Sequence, residues 1–187
     1  GLPVSEVGGP EGELLVWALE QASRQPASRV LCESVLPIIG AEDDVYWLTD
    51  PSGAELADGL ALSLRDFARF GQALLESRGR PGGSSGAPRW LVESLAATRS
   101  GTESMPDSLR GFGNDVDWRY RFVRLGGSRQ AAIIGPFGNS LFVDFERGIV
   151  IAIYASFPRD YSALLLQSLR SVWSAIEAAE SAGRADQ

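Results

Sequence analysis

At 187 residues, 44% of them hydrophobic and 22% charged, the chain has the composition of one globular domain, or one and a half, and not that of a disordered segment. Its net charge of −7 and pI near 4.7, with no basic stripe, disfavour a nucleic-acid partner, and no apolar run approaches the roughly 18–20 residues that span a bilayer. All 17 basic residues are arginine and histidine is absent, which removes the usual general base, the usual amine nucleophile and the commonest metal ligand, because a guanidinium does not give up its proton. Ser-His-Asp, Cys-His, HExxH, Walker A and Ser-x-x-Lys arrangements are therefore missing from these residues, and no metal or cofactor is expected. Gly1 to Pro10 lack the charged and apolar regions of a signal peptide, which favours a cytoplasmic location.

Residues 12–24 read as an amphipathic helix with Leu15, Leu19 and Ala22 on one face, ended by Pro26. A second helix is expected from Ser28, as N-cap, to Leu36, with Pro37 and Gly40 stopping it. The single Cys32 excludes an internal disulfide and, in this apolar helical stretch, reads as a buried, inert thiol. Residues 41–58 are loop-like, with a short strand over Val45–Leu48 and turn chemistry at Pro51-Ser52-Gly53. Ser63 followed by Asp66 is a near capping box, opening a helix whose apolar face is Leu64, Phe67, Phe70, Leu74 and Leu75. Residues 79–88 read as a linker, residues 89–98 as a short helix and residues 99–116 as irregular.

The character then changes to strands. Arg119–Leu125, Arg129–Ile134 and Ser140–Phe145 are three strand candidates. Gly148 closes a turn, and Ile149–Ala155 returns as a near-continuous apolar run, the mark of a central strand covered on both faces. Asp160 is expected to cap a last helix with the stripe Tyr161, Leu165, Leu169, Val172 and Ile176. The order gives an α+β fold: a helical portion over 1–105, then an antiparallel sheet portion with a covering C-terminal helix over 106–187.

Isolated motifs carry little. Gly82-Gly83-Ser84-Ser85-Gly86 matches the G-x-S-x-G string, but that elbow needs a preceding strand and a histidine, so it reads as a flexible loop. Asn114-Asp115-Val116-Asp117 lacks the remaining ligands of a calcium loop, and Glu42-Asp43-Asp44 reads as solvated charge. The five tryptophans are spread along the chain and default to core packing. Gly135-Pro136-Phe137-Gly138 lies between two strands and reads as a turn.

Several segments, in order, resemble the C-terminal half of the serine β-lactamase-like hydrolases, the branch with 6-aminohexanoate-dimer hydrolases, family-VIII esterases and class C β-lactamases. They are residues 12–20 (GELLVWALE), 36–44 (LPIIGAEDD), 46–50 (YWLTD), 64–71 (LRDFARFG), 138–144 and 149–152, and the match extends over about residues 10–175. The resemblance implies a partial β-lactamase/transpeptidase-like fold. It also implies a mechanism in which a serine of a Ser-x-x-Lys helix is acylated with help from that lysine and a tyrosine. Two backbone N–H groups hold the oxyanion, one of them following the glycine of a Lys/His-Thr/Ser-Gly strand.

On this sequence the nucleophile helix would lie upstream of Gly1. The tyrosine position falls near Val7, and no tyrosine occurs before Tyr46. The strand motif maps onto Ile133-Ile134-Gly135, and the donor onto Pro136, which has no N–H; a one-residue slip moves it to Phe137. No catalytic residue is assigned, and Val7, Ile133, Gly135, Pro136, Phe137 and Gly138 are the cleft candidates by family position. Three readings follow. The chain is a C-terminal fragment or degenerate relative that is not catalytic alone. Alternatively, it is an active hydrolase of esters, amides or β-lactams completed by an N-terminal segment or partner chain. The third reading is a non-catalytic module whose cleft binds a small molecule through Phe137 and Trp47. A sheet left partly uncovered implies a complementing segment or a homo-oligomer.

Overall fold

Helix α1 (Pro10–Ser23) is the first element of the structure, a computed structural model that describes residues 10–78, 116–119, 122–125, 130–158 and 163–185. The chain divides into two units, Gly1–Phe70 and Gly71–Gln187, with the division inside helix α4 (Leu64–Arg78).

In the first unit, α1 is followed by α2 (Ala27–Ser34), the single turn α3 (Leu36–Ile39) and a hairpin of β1 (Tyr46–Thr49) and β2 (Glu55–Ala61). Helix α2 does not start on a Ser28 cap. Pro26 is the N-cap residue, and Ser28 acts as a donor, its N–H reaching Glu55 Oε2 at 2.8 Å and its hydroxyl bonding Glu55 Oε1. A carboxylate from β2 thus satisfies an orphan N–H in the first turn of α2. Pro37 lies in the first turn of α3 instead of stopping a helix, since that turn needs no N–H from it, and Gly40 closes α3 in the left-handed region (φ 62°). The hairpin turn is built by Asp50, whose Oδ1 accepts from Ser52 N (2.8 Å), Ser52 Oγ (2.7 Å) and Ala54 N (2.9 Å), with Gly53 at φ 90°. The Ser52 hydroxyl leads in holding this carboxyl below its ordinary range. β2 occupies part of the stretch read as loop; the Gly59 within it and its polar residues hid a strand on a half-exposed hairpin.

The second unit is a five-stranded antiparallel meander in the order β3-β4-β5-β6-β7, comprising Val116–Arg119, Phe122–Leu125, Gln130–Ile134, Ser140–Asp144 and Ile149–Ile153. The single strand expected over Arg119–Leu125 is the second half of a hairpin, with Arg119 paired to Phe122. The apolar run Ile149–Ala155 is not central: among the described strands β7 stands at the edge, half-buried over most of its length. The buried strands are β4 and β6, and β5 nearly so.

Helix α5 (Ala163–Ala185) covers one face of this sheet. Leu166, Leu169 and Trp173 pack on Val123, Leu125, Ala132, Ile134 and Phe142, and Trp173 stacks on Phe142 with ring centroids 4.6 Å apart. Of the expected stripe Leu169 is buried, but Val172 and Ile176 are exposed, and the buried stripe runs 166-169-173. On the other face, Gly71 of α4 lies against Leu141 and Val150. No helix among the described residues is long and apolar enough to cross a membrane.

Candidate functional site

The strings that carry the family resemblance in the first unit form a structural buckle. Ser63 Oγ accepts from Asp66 N (3.1 Å), the cap expected from the sequence. The Asp66 carboxylate, fully buried, does not reach back to Ser63. It accepts from the N–H groups of Glu42 (3.1 Å) and Asp43 (3.0 Å) and from Arg69 Nη1 (3.1 Å). Burial opposes its ionisation, but these donors together hold it below the usual carboxylate range. Arg69 also donates to Gly40 O (2.8 Å) and pairs with Glu42, which leads in raising the guanidinium's own pKa. The segment 40–43 is thereby tied to the first turn of α4. The acidic triplet stays exposed, with Glu42 spent on arginine, and nothing there positions two carboxylates about a substrate.

The cleft candidates converge on the β5–β6 connection. Ile133 pairs with Leu141 and is half-buried. By strand alternation it faces away from α5, since Ala132 and Ile134 lie in the α5 cluster. The chain then makes a 3-10 turn over Pro136–Gly138. The Gly135 N–H is already used, donating to Asn139 O at 2.7 Å, and Pro136 has none. Phe137 sits in the left-handed region (φ 56°) with its side chain 49% exposed, a conformation that costs a non-glycine residue about 1–2 kcal/mol. Two bonds hold the turn against the segment after β7: Phe157 N to Phe137 O (3.0 Å) and Ala155 N to Asn139 Oδ1 (3.0 Å). Gly138 (φ 88°) lies beneath the Phe157 ring. Gly135 through Gly138 are thus brought together with Ile133 at one end of the sheet. Val7, the Gly82–Gly86 string, Tyr161 and Asp160 lie outside the described residues, as do residues 79–115 with their linker and helix.

Other expectations fare differently. Cys32 is exposed, not buried. The helix face that would have covered it is turned elsewhere: only Ala27 of α2 is buried. Trp173 is a core residue and Trp47 is half-buried with Nε1 donating to Leu56 O (2.7 Å), whereas Trp17 is exposed. A shallow hollow beside the α1–α2 junction is lined by Glu20, Gln21, Arg24, Gln25 and Pro26 and offers no nucleophile. Among the described residues no group of three metal-ligating side chains is present.

Sequence reading missed a polar cluster around the buried Asp144. Asp144 at the end of β6, Gln130 at the start of β5, Arg147 of the following turn and Glu177 of α5 meet there. Strand pairing explains half of it, since Gln130 and Asp144 are register partners. Glu177 is far away in sequence, and only the correct helix stripe, continued from Trp173 by four residues, points to it.

No protein-family model matches the sequence, and no curated protein does. Among solved structures the chain is similar to a Bacillus anthracis protein named "Putative 6-aminohexanoate-dimer hydrolase", with a TM-score of 0.69 and 22% identity. The fold is part of a β-lactamase-like domain. The similarity covers 92% of this chain and 42% of that one, so the chain spans less than half the length of the structure it matches. The expected fold is borne out, with the helices, meander and covering helix in the expected order.

Proposed function

We propose that this polypeptide forms the C-terminal half of a β-lactamase-like serine hydrolase fold and is not catalytic by itself. Pro136 carries the reading: at the aligned oxyanion position it has no N–H, and the preceding N–H of Gly135 is committed to Asn139 O. Losing one oxyanion donor typically costs on the order of 3 kcal/mol of transition-state stabilisation. The lack of lysine and histidine supports it further, because no serine of these residues has a neighbour of either type to take its proton. In this reading Ile133, Gly135, Pro136, Phe137 and Gly138 line what remains of a cleft, with a small molecule as its occupant. The test is to incubate the purified protein with a fluorophosphonate or an activated β-lactam and read the intact mass. The mass stays unshifted under conditions that fully label an intact hydrolase of this fold; a stoichiometric adduct overturns the reading.

A second reading is favoured by the apolar residues that α1 leaves in solvent, Leu14, Leu15, Trp17 and Leu19, and by the edge position of β7 among the described strands. Here another polypeptide, supplying the rest of the domain with its Ser-x-x-Lys helix, covers those surfaces and hydrolyses a small ester, amide or β-lactam. Labelling that appears only when such a polypeptide is added, on its serine, is the result this reading requires.

A further inference from the structure

The packing of α5 on the sheet ends on a carboxyl group. Leu166, Leu169 and Trp173 are its buried residues, and one turn further comes Glu177, with a side chain 15% exposed. Residues 178–183 beyond it are all exposed. Among the described side chains of the helix, Glu177 is therefore the last set against the sheet. It meets Asp144, which is fully buried. One amide nitrogen serves both: Gln130 Nε2 lies 2.7 Å from Asp144 Oδ2 and 2.6 Å from Glu177 Oε1. Arg147 Nη1 lies 2.9 Å from Asp144 Oδ2 and 3.7 Å from Glu177 Oε1. Asp144 Oδ1 also accepts the N–H groups of Glu146 (2.8 Å) and Arg147 (2.7 Å). Two carboxyls thus face one guanidinium, with Asp144 fully buried, Glu177 largely so and Arg147 45% exposed. With both ionised the cluster is net negative, and with one proton retained it is neutral.

We propose that Asp144 and Glu177 form a proton-operated latch that holds the C-terminal turns of α5 on the sheet, closed while one proton is kept between the two carboxyls and loosened when it leaves. The donors decide which carboxyl keeps the proton. Burial opposes the ionisation of Asp144, but the hydrogen bond with Glu177, then those from Gln130 and Arg147, outweigh it, and its carboxyl is held far below the usual range. Burial, then the hydrogen bond to Asp144 and the charge of Asp144, push Glu177 up from 4.5 to about 7. Arg147 and, on the same helix, Arg170 favour the ionised form and are outweighed. The charge of Glu146 raises the pKa of Arg147, while its backbone N–H serves Asp144 directly.

The sign follows from linkage. A carboxyl whose pKa is raised when docked gives its full stabilisation below the undocked value of 4.5, loses it with rising pH, and has none left above about 7. Opening therefore becomes easier by on the order of tenfold per pH unit across that window and changes little above it.

The test is amide hydrogen exchange over residues 170–178, corrected for intrinsic rates, at pH 5, 6, 7 and 8 in the wild-type protein and in Glu177→Gln. The carboxamide mimics the protonated acid, accepting from Gln130 and donating to Asp144. Wild-type protection is expected to fall by tens-fold between pH 5 and pH 7, while E177Q stays closed and nearly flat. Wild-type protection that does not change, or an equal loss in E177Q, overturns the latch. So does a wild-type Glu177 carboxyl that titrates near its ordinary value by carbon NMR, a measurement independent of how the variant folds.

Discussion

Gly138 is required on two counts. Its φ of 88° lies where a Cβ is strained, and that Cβ would stand 2.0 Å from the Phe157 ring. Gly138→Ala should therefore cost about 2–4 kcal/mol, part from the backbone and part from displacing the ring, read as a lower urea midpoint at unchanged m-value. A loss under about 0.5 kcal/mol would mean the turn is not held against residues 155–157 as described. The turn between two strands was legible from the Gly-Pro-Phe-Gly string. That Phe137, and not only Gly138, takes the left-handed conformation was not, because nothing in a sequence distinguishes which residue of a turn bears the strain. Ser28 shows the same limit. It was expected to cap α2, but Pro26 is the N-cap residue and Ser28 donates to the Glu55 carboxylate on another element.

At the scale of elements, α4 rests on the sheet through a glycine. A Cβ at Gly71 would lie 2.5 Å from Val150 Cγ1 and 2.9 Å from Leu141 Cδ1. Gly71→Ala gains about 1 kcal/mol of helix propensity but overpacks this contact at a cost of about 1–3 kcal/mol. A net destabilisation of about 1 kcal/mol is expected. Truncating the opposing side chain should relieve it, so the double variant G71A/V150A is expected to lose less than the sum of the two single losses. Strict additivity in chemical denaturation would show that the two residues do not touch. The string 64–71 marked this helix correctly, but its Phe and Leu face mixed half-buried residues with an exposed Leu64, and only Leu74 is fully enclosed. In α5 the run Leu164-Leu165-Leu166 fits two stripes equally well. Trp173 decides for the one through Leu166, and its stacking partner Phe142 is visible only in the fold. The hairpin of β3 and β4 was hidden for a related reason: alternation does not mark where a strand reverses.

For the whole molecule, the order of helices, meander and closing helix could be read from periodicity. Which surfaces remain open could not, because burial depends on neighbours that periodicity does not name. Helix α1 makes the point. Its pattern gave an amphipathic helix with Leu15, Leu19 and Ala22 on one face, yet Leu15 is 68% and Trp17 59% exposed, and Leu14 and Leu19 are open as well. Burying such a side chain fully stabilises by about 1.5–3 kcal/mol, and Leu15 with Leu19 and Leu14 with Trp17 form two exposed apolar pairs on this helix. The structure it resembles is more than twice as long, and in the second reading proposed above a polypeptide supplying the remainder of that fold covers α1. Without it, the purified protein should self-associate as concentration rises, with sedimentation velocity showing a growing fraction above the 20.1 kDa monomer. The double substitution Leu15→Glu and Trp17→Glu should return it to monomer with its circular dichroism unchanged, since neither side chain is part of the core. A wild-type protein that sediments as monomer across the range would mean the α1 face tolerates water, and the case for a covering partner would then rest on the β7 edge alone.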